Sequence, residues 1–267
     1  MQAVKHIASP QNASIKKMMQ LKEKKKERVQ TGTFVLEGQR ELEMAINGSY
    51  QIDSVFFYPE FFSLQEVESL IENSAKEPEL VEISKEVYQK LAYREKTEGV
   101  LAIAKAKSHG LNKLSLPKNP LILVAEAPEK PGNIGALLRT ADAANLDAII
   151  IANPKSDIYN PNIIRSSVGC VFTVPIATGN TSEIIDFLEG HKISIFAAAL
   201  SAKAAYTKAD FTGATALVVG TESTGLSDEW LSKADAQIII PMEGSIDSMN
   251  VSVSAAILIF EAKRQRN

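Results

Sequence analysis

The chain has 267 residues, of which 45% are hydrophobic and 23% are charged, and this balance excludes a disordered or collagen-like protein. No apolar run reaches the ~18 residues that a membrane helix needs, and the N-terminus lacks the apolar core of a signal peptide, so we expect a cytoplasmic protein. One cysteine and three widely separated histidines offer neither an internal disulfide nor a zinc-ligand spacing, so we expect no metal site.

The net charge of −3 is unevenly distributed along the chain. Residues 1–30 carry eight basic and two acidic side chains, and residues 105–118 carry four lysines and no acid. A basic surface of this kind is typical of proteins that bind phosphates. The alternative is that the KEKKKER run forms an ordinary solvated helix face. The candidate RNA-contacting residues of this segment are Lys16, Lys17, Lys24, Lys25, Lys26 and Arg28.

Residues 1–107 are predicted to form a small α/β domain, because helical and strand-like segments alternate. A basic helix over residues 14–30 comes first. The helical period is clearest later, where Leu64, Val67, Leu70 and Ile71 recur at helical spacing. The predicted elements that follow the first helix are the strand TFVLEG, a helix at 41–47, the strand DSVFFY, a helix at 63–75, the strand VEIS, a helix at 85–91 and the strand VLAIAKA.

Residues 108–118 lack a clear period and contain Gly110 and Pro117, so they are predicted to be a linker. The second domain, residues 119–267, contains apolar runs that do not alternate with polar residues. Such runs are typical of strands covered on both faces, so we predict a parallel sheet with helices on both sides. The runs are LILVAE, AIIIAN, VFTVPIA, ISIFAAAL, TALVVG and QIIIP, and helices are predicted at 135–145, 161–168, 183–189 and 228–234.

The last predicted helix, residues 250–265, has almost no polar face over its first three turns. A helix that is apolar all round is buried all round. One sheet covers only one side of it, so we predict a homodimer in which a second copy covers the other side. The alternative cover is another helix of the same chain.

The first of three polar loops follows LILVAE. Pro131, Gly132 and Asn133 are expected to make a turn, and Gly135 is expected to open a helix that carries Arg139 about one turn in. A helix N-terminus and an arginine together suit a phosphate group. The loop lacks GxGxxG, which argues against a dinucleotide site.

The second and third loops follow TALVVG and QIIIP. In the second loop, Glu222 is a carboxylate at a strand end with few basic neighbours, and the alternative is an exposed loop acid. In the third loop, Ser248 and Asn250 lie between a buried strand and a buried helix, so the polar atoms of this loop need hydrogen-bond partners. A bound ligand is one source of such partners, although Ser248 also suits a helix N-cap.

Taken together, three stretches resemble the SpoU (TrmH-type) RNA 2′-O-ribose methyltransferases. They are NIGALLRTA at 133–141, GTESTGL at 220–226 and IPMEGSIDSMNVSVSAA at 240–256. Met249 stands where leucine is usual and Asn145 where glycine commonly follows the first helix, and both replacements are mild. Residues 9–38 give a weaker resemblance to the family's L30e/L7Ae-like substrate-binding domain.

The resemblance implies a SPOUT domain with a trefoil knot over residues 119–267, beside a small N-terminal α/β domain that binds RNA. It implies S-adenosylmethionine as the cofactor, bent between the second and third loops. It also implies that the first-loop arginine acts across a homodimer interface. Carried onto this chain, the cofactor-binding residues are Leu200, Gly220, Glu222, Ile240, Met249 and Asn250.

The implied reaction is attack of a ribose 2′-hydroxyl on a sulfonium methyl group, which requires in-line alignment and removal of a proton. Arg139 is assigned to the target phosphate and the developing alkoxide, because a guanidinium with a pKa above ~12 stays protonated. Proposals for the family make this arginine the base. Asn133 is expected to orient Arg139 or the ribose, Glu222 to hold Arg139 or take the proton, and Ser248 and Asn250 to position ribose and cofactor.

The resemblance favours 23S rRNA as the substrate. A tRNA substrate within the same family is one alternative, and a non-catalytic RNA-binding protein is another.

Overall fold

The computed structural model describes residues 4–93, 98–221 and 223–267. The chain forms two units, of which the first comprises residues up to Lys107 together with Asp157–Thr173. The second comprises Ser108–Ser156 and Val174–Asn267. Both units combine strands and helices, and this confirms the predicted α/β class.

Five strands build the sheet of the first unit: β1 (Lys5–Ile7), β2 (Thr33–Glu37), β3 (Ile52–Phe57), β4 (Glu79–Ile83) and β5 (Val100–Lys105). Their order across the sheet is β1, β4, β3, β5, β2. β1 and β3 are parallel to β4, whereas β5 is antiparallel to both of its neighbours. The helices of the chain up to Leu91 are α1 (Ala13–Glu23), α2 (Lys25–Thr31), α3 (Gln39–Asn47), α4 (Leu64–Ile71) and α5 (Lys85–Leu91).

The basic helix expected over residues 14–30 is in fact two helices, because the chain is extended at Lys24 (φ −113°, ψ 112°) between α1 and α2. Lysine is a good helix former, so propensity gives no sign of this break. One face of α1 buries Ile15, Met18 and Leu21 in the core of the unit. The break lets α2 take a different direction, and it ends at Gly32 in the left-handed region (φ 60°).

Arg28 on α2 is buried, with 5% of its surface exposed, and its guanidinium forms a two-pronged ion pair with Asp157 at 2.7 and 3.0 Å. Its Nη1 also donates to the carbonyl of Leu21 at 2.7 Å. Four of the five N–H donors of this buried guanidinium are bonded within the protein, so the side chain is not placed to contact a phosphate. The RNA-binding role predicted for Arg28 is therefore withdrawn, and the residue instead ties α2 to the 157–173 segment.

The 157–173 segment belongs to the first unit because its aromatic side chains complete that unit's core. Tyr159 stacks on Phe34 with ring centroids 4.2 Å apart, and Phe172 lies 5.1 Å from the ring of Tyr50. The Tyr159 hydroxyl donates to the Tyr50 hydroxyl at 3.2 Å, and burial raises the pKa of both phenols. Gly48 packs against the backbone of Phe172 in this cluster, so closely that a Cβ atom would not fit.

Seven parallel strands build the sheet of the second unit: β6 (Leu121–Glu126), β7 (Ala148–Ala152), β8 (Ile176–Gly179), β9 (Ser194–Ala198), β10 (Ala204–Ala205), β11 (Thr215–Val219) and β12 (Ala236–Ile239). Their order is β10, β12, β9, β11, β6, β7, β8. The all-parallel sheet with buried apolar strands agrees with the prediction made from the continuous Val/Ile/Leu/Ala runs. The later helices of the chain are α6 (Pro131–Ala143), α7 (Pro161–Ser166), α8 (Thr181–Gly190), α9 (Asp228–Lys233) and α10 (Val251–Arg266).

Two predicted boundaries in this half were wrong. Helix α6 begins at Pro131 rather than Gly135, because proline is preorganised for the first helical position. Gly135 is therefore buried in the second turn, and Arg139 lies about two turns into the helix. The VFTVPIA run is not one strand, since residues Cys170–Phe172 form a 3₁₀ turn and only Ile176–Gly179 pairs with β7.

The segment interpreted as a linker packs on the second unit, where Leu111, Leu114 and Leu116 contact the core. The His109 carbonyl also accepts the backbone N–H of Thr178 at 2.7 Å. Helix α10 packs against α6, β11 and β6. In the part of the chain that the structure describes, no helix combines the length and apolar character needed to cross a membrane.

Candidate functional site

A cavity of about 460 Å³ lies at the carboxyl edge of the parallel sheet. It is bordered by the ends of three adjacent strands and by residues that follow them: 198–201 at β9, 219–221 and 223–226 at β11, and 238–240, 242, 247–249, 251 and 254 at β12. Ligands of parallel sheets bind outside the carboxyl ends of the strands, and their pockets have volumes of about 300–1,000 Å³. The cavity therefore has the position and size of a ligand site.

The structure brings most of the predicted cofactor-binding residues to this cavity. The side chains or backbones of Leu200, Gly220, Ile240 and Met249 border it, and so does Ser248, which was predicted as a catalytic residue. Glu222 lies outside the described residues. Asn250 does not border the cavity but lies directly after Met249, at the start of α10.

The loop after β11 is closed upon itself. Thr221 and Gly225 exchange two backbone hydrogen bonds of 3.0 and 3.1 Å, and the Thr221 hydroxyl accepts the backbone N–H of Thr224 at 3.0 Å. Gly225 is in the left-handed region (φ 69°), and a Cβ atom on Gly220 would lie 2.2 Å from the Gly225 backbone. Both glycines are therefore needed for this tight loop to form the cavity wall.

A hydrogen bond joins the first and third loops across 117 residues of sequence. The Nδ2 atom of Asn250 donates to Oδ1 of Asn133 at 3.1 Å. The Asn250 amide can face only one way, because its Oδ1 accepts the backbone N–H of Ser252 at 2.9 Å and so caps α10. The N-cap role considered for Ser248 thus belongs to Asn250, and the cap aims its amide nitrogen at Asn133.

All three loops meet around a second, small cavity of about 20 Å³. Its walls come from the first loop (128–130 and Asn133), the second loop (Gly220 and Thr221) and the third (Val251). A space of this size holds about one water-sized group. Polar atoms of Asn133 and Thr221 thus lie beside a space into which a small reacting group fits.

Arg139 lies on an exposed part of α6 and borders neither cavity. No described residue forms a hydrogen bond or an ion pair with its guanidinium. The side chain is therefore available to a group from outside its own chain. The roles predicted for Arg139 and Asn133 stay predictions.

The cavity residues that follow or end β9 carry no motif signal, and sequence analysis missed all of them except Leu200. Ala198, Ala199 and Ser201 border the cavity after β9, a strand end with no conspicuous polar pattern. Asp247 is the one charged side chain among the described residues that line the cavity. Its position in a polar loop, three residues before Asn250, was the sequence signal that could have identified it as a cavity residue.

The candidate RNA-binding lysines are exposed on the surface of the first unit. Lys16 and Lys17 lie on α1, and Lys24, Lys25 and Lys26 lie at the break and the start of α2. A row of exposed ammonium groups on two short helices suits contact with a phosphate backbone.

The first unit also contains a cavity of about 310 Å³, but its charge is unsuited to phosphate. Three carboxylates, Glu37, Glu41 and Glu98, line it together with Lys22 and Arg165. Burial, aided by Glu98 and Glu37, raises the pKa of Glu41. We therefore look to the exposed lysines rather than to this cavity for phosphate contacts.

Among the described residues there is no cluster of three His, Cys, Asp or Glu side chains placed to hold a metal ion. The polar groups of the carboxyl edge include amides, hydroxyls and backbone atoms. Such groups position a ligand through hydrogen bonds.

The chain was compared with known protein families. Residues 120–260 match the SpoU rRNA Methylase family. Residues 12–102 match the MRM3-like substrate binding domain. The first match covers most of the second unit and the 157–173 segment of the first, and the second match covers most of the N-terminal part of the first unit.

Similar proteins align over nearly the whole chain. A relative from Bacillus subtilis is the 23S rRNA (guanosine(2553)-2′-O)-methyltransferase RlmP. It is 28% identical, and the alignment covers 97% of this chain and 100% of that protein. A crystal structure of an RNA 2′-O ribose methyltransferase is 36% identical, with a TM-score of 0.83 over 98% of this chain and 99% of that one. An AdoMet-bound rRNA methyltransferase from Sinorhizobium meliloti has a TM-score of 0.90 at 27% identity, with 98% of both chains covered.

Replacing Asn250 tests its role as the cap of α10. We expect Asn250→Ala to lower the free energy of unfolding by about 1 kcal/mol, because the backbone N–H of Ser252 loses its acceptor. Asn250→Asp retains the capping oxygen but loses the donor to Asn133, so it should be less destabilised than Asn250→Ala. Urea denaturation measures both, with Asn180→Ala at the cap of α8 as the reference. Equal stabilities of the two Asn250 variants would contradict the capping role.

Proposed function

Because this chain belongs to the SpoU rRNA methylase family, we propose that it transfers a methyl group from S-adenosylmethionine to the 2′-hydroxyl of a ribose in 23S rRNA. The observation that carries the proposal is the meeting of three family stretches at one edge of the sheet, around a ligand-sized cavity. The full-length likeness to a 23S rRNA 2′-O-methyltransferase supports the rRNA substrate over a tRNA.

The cavity suits S-adenosylmethionine. Ile238, Ile240, Met242 and Met249 give it apolar walls that fit a flat adenine ring, while the loop after β11 lends backbone N–H and C=O groups and hydroxyls. Such a mixture of apolar surface and few polar groups is typical of small-molecule sites. When bound, the cofactor supplies a methyl group already activated on a sulfonium.

We assign separate roles to the two parts of the chain. Residues 1–107 would bind the RNA substrate, residues 108–118 would connect, and residues 119–267 would carry out the reaction. The match of residues 12–102 to a substrate binding domain and the exposed lysines of α1 and α2 support the first role. With a ribosomal RNA substrate, the place of action would be the cytoplasm.

We propose catalytic roles for the residues of the three loops, as the family resemblance implies them. Asn133, held by Asn250, would orient the ribose beside the small cavity. Ser248 and Asn250 would position ribose and cofactor, and Glu222 would take the proton or hold the arginine. Arg139 would bind the target phosphate and stabilise the oxyanion, because the planar guanidinium matches phosphate geometry and its N–H donors can face developing negative charge.

We propose that the active enzyme is a homodimer. Val253 and Phe260 on α10 are large apolar side chains that are 48% and 52% exposed, although the helix buries its opposite face on the sheet. The loop before α10 is also mostly exposed, including Ile246 at 65%. A second copy that covers this surface would bring its Arg139 to the cavity and would complete the site.

The connectivity of the second unit supports the trefoil knot that the resemblance implies. In the sheet, β9 lies between β12 and β11. Helix α10 follows β12 in the chain but packs against α6, β11 and β6. The chain must cross the carboxyl ends of the intervening strands to do this. We propose that it threads through the loops there, so that the knot itself builds the cofactor site.

The catalytic assignment is tested with Arg139→Ala. We expect methyl transfer to 23S rRNA to fall by about 10²-fold or more, because an oxyanion-stabilising donor is lost, while cofactor affinity stays within a few-fold. Incorporation of labelled methyl groups and calorimetry measure the two quantities. Lys208→Ala, which removes an exposed charge elsewhere on the second unit, is the control. Near wild-type turnover of Arg139→Ala would contradict the assignment, and absence of cofactor binding by the native protein would favour a non-catalytic RNA-binding role.

The action of Arg139 across the dimer is tested by complementation. Arg139→Ala is mixed with Ser201→Trp, which fills the cavity of its own chain. Random pairing gives half heterodimers, each with one intact cavity facing one intact arginine, so about a quarter of native activity should return. If Arg139 serves its own chain, the mixture stays inactive.

The lysine surface is tested by replacing Lys16, Lys17, Lys24, Lys25 and Lys26 with alanine. We expect RNA affinity to fall and the slope of log K against log salt to become shallower by about 0.7–0.9 for each lost phosphate contact. Cofactor affinity should not change. Lys85→Ala with Lys90→Ala, on exposed positions of α5, is the control. An unchanged salt slope would show that the lysines form only a solvated helix face.

A further inference from the structure

The last residue of β6, Glu126, is a buried carboxylate with 7% of its surface exposed. Carboxylates are almost never buried without partners. Within the described part of the chain, Glu126 has no ion pair, and it accepts hydrogen bonds instead. The backbone N–H and the hydroxyl of Ser227 donate to it, both at 2.8 Å, and the Thr181 hydroxyl lies at 3.4 Å.

The strongest of these bonds fix the exit of the second loop. Ser227 directly follows Leu226, which lines the large cavity, and it occupies the N-cap position of α9. Its hydroxyl forms no capping bond with α9, although serine is a favoured cap. The hydroxyl instead donates a hydrogen bond to Glu126. A contact across 101 residues of sequence thus replaces the local capping bond of the helix.

Glu126 also directly precedes the first loop. Ala127, the next residue, takes a left-handed conformation (φ 44°) that turns the chain sharply away from the strand. The loop then passes through residues 128–130, which face Gly220 and Thr221 of the second loop across the small cavity. One carboxylate thus joins the start of the first loop to the end of the second.

The bonds continue to the neighbouring strand ends. Thr181 is the first residue of α8, which follows β8, and its hydroxyl accepts from Nδ2 of Asn153 at 2.9 Å. Asn153 follows β7 directly and also takes a left-handed conformation (φ 49°). A chain of side-chain hydrogen bonds therefore runs from the ends of β7 and β8 to Glu126 and on to the second loop.

We propose that Glu126 is a positioning residue for methyl transfer, because its carboxylate sets the second loop, which walls the cofactor cavity, at a fixed distance from the first loop, which carries Asn133. This inference rests on the proposed function. Only an acceptor fits the position, since three donors surround it and a carboxylate offers no N–H. A displacement of about 1 Å between binding groups costs about 10² in rate, so small shifts at this junction matter.

The test compares Glu126→Gln with Asp235→Asn. Asp235 accepts the backbone N–H of Ile195 at 2.7 Å at the opposite edge of the same sheet, so it controls for the structural effect of losing a carboxylate. Cofactor affinity is measured by calorimetry without RNA, kcat and KM for RNA by methyl incorporation, and stability by urea denaturation. Glu126→Gln should weaken cofactor binding about tenfold and lower kcat more than tenfold, with KM for RNA unchanged. Asp235→Asn should lose stability but keep both native values.

Two further variants keep the test decisive. Ser227→Ala removes only one donor, so it folds more readily and should weaken cofactor binding by a few-fold. Its effect should largely vanish in the Glu126→Gln background, because both changes break the same link. Glu126→Asp, which retains the acceptor atoms, should recover part of the lost cofactor affinity.

The positioning role is overturned if Glu126→Gln binds the cofactor with native affinity, or if Asp235→Asn loses as much affinity at equal loss of stability. It is equally overturned if the effects of Glu126→Gln and Ser227→Ala simply add. Failure of the proposed function would give a different result, because the native protein would then leave 23S rRNA unmethylated. The calorimetric comparison still decides the role of Glu126 in that case.

Discussion

A hydrogen bond between two amides, from Asn250 to Asn133, joins the start of the last helix to the first loop of the parallel sheet. The rest of the site depends on this meeting, because it brings loops far apart in sequence to one edge. The donor is aimed by the capping of α10, so that a local feature of helix formation sets a long-range contact. The cap of the last helix and the contact between the first and third loops thus share one side chain.

The parallel sheet supplies the second half of this constraint. Parallel strands present all their carboxyl ends at one edge, and the neighbours β12, β9, β11 and β6 are the strands whose loops build the two cavities. Backbone N–H groups at the opposite edge are satisfied separately, for example by Asp147 and Asp235. One edge is thus free to bind ligands while the other holds the strands in register.

Much of the fold and of the site could be predicted from sequence because two signals were local. Continuous apolar runs indicated the parallel sheet, and three motif stretches indicated which loops carry polar groups. Leu200, Gly220, Ile240 and Met249 were carried over from a resemblance, and the structure places all four at one cavity. Their proximity does not follow from spacing, since it depends on the strand order.

The remaining features depend on tertiary contacts that leave no local pattern. The sequence pattern around Arg28 indicates a basic helix face, but its ion-pair partner Asp157 lies 129 residues away in sequence. The break at Lys24 and the pairing of the short strand β1 likewise follow from packing within the first unit. Glu126 ends an ordinary apolar strand, and only its buried surroundings reveal that it links two loops. Arg139 is the converse case, since its motif marks it clearly but it is exposed and borders neither cavity.

A crystal structure of the full chain with S-adenosylhomocysteine tests the central claim most directly. The account predicts the adenosyl group in the large cavity at the carboxyl ends of β9, β11 and β12, with its sulfur toward the small cavity beside Asn133. Ligand density at any other surface, or the three loops apart with no space enclosed between them, would contradict it.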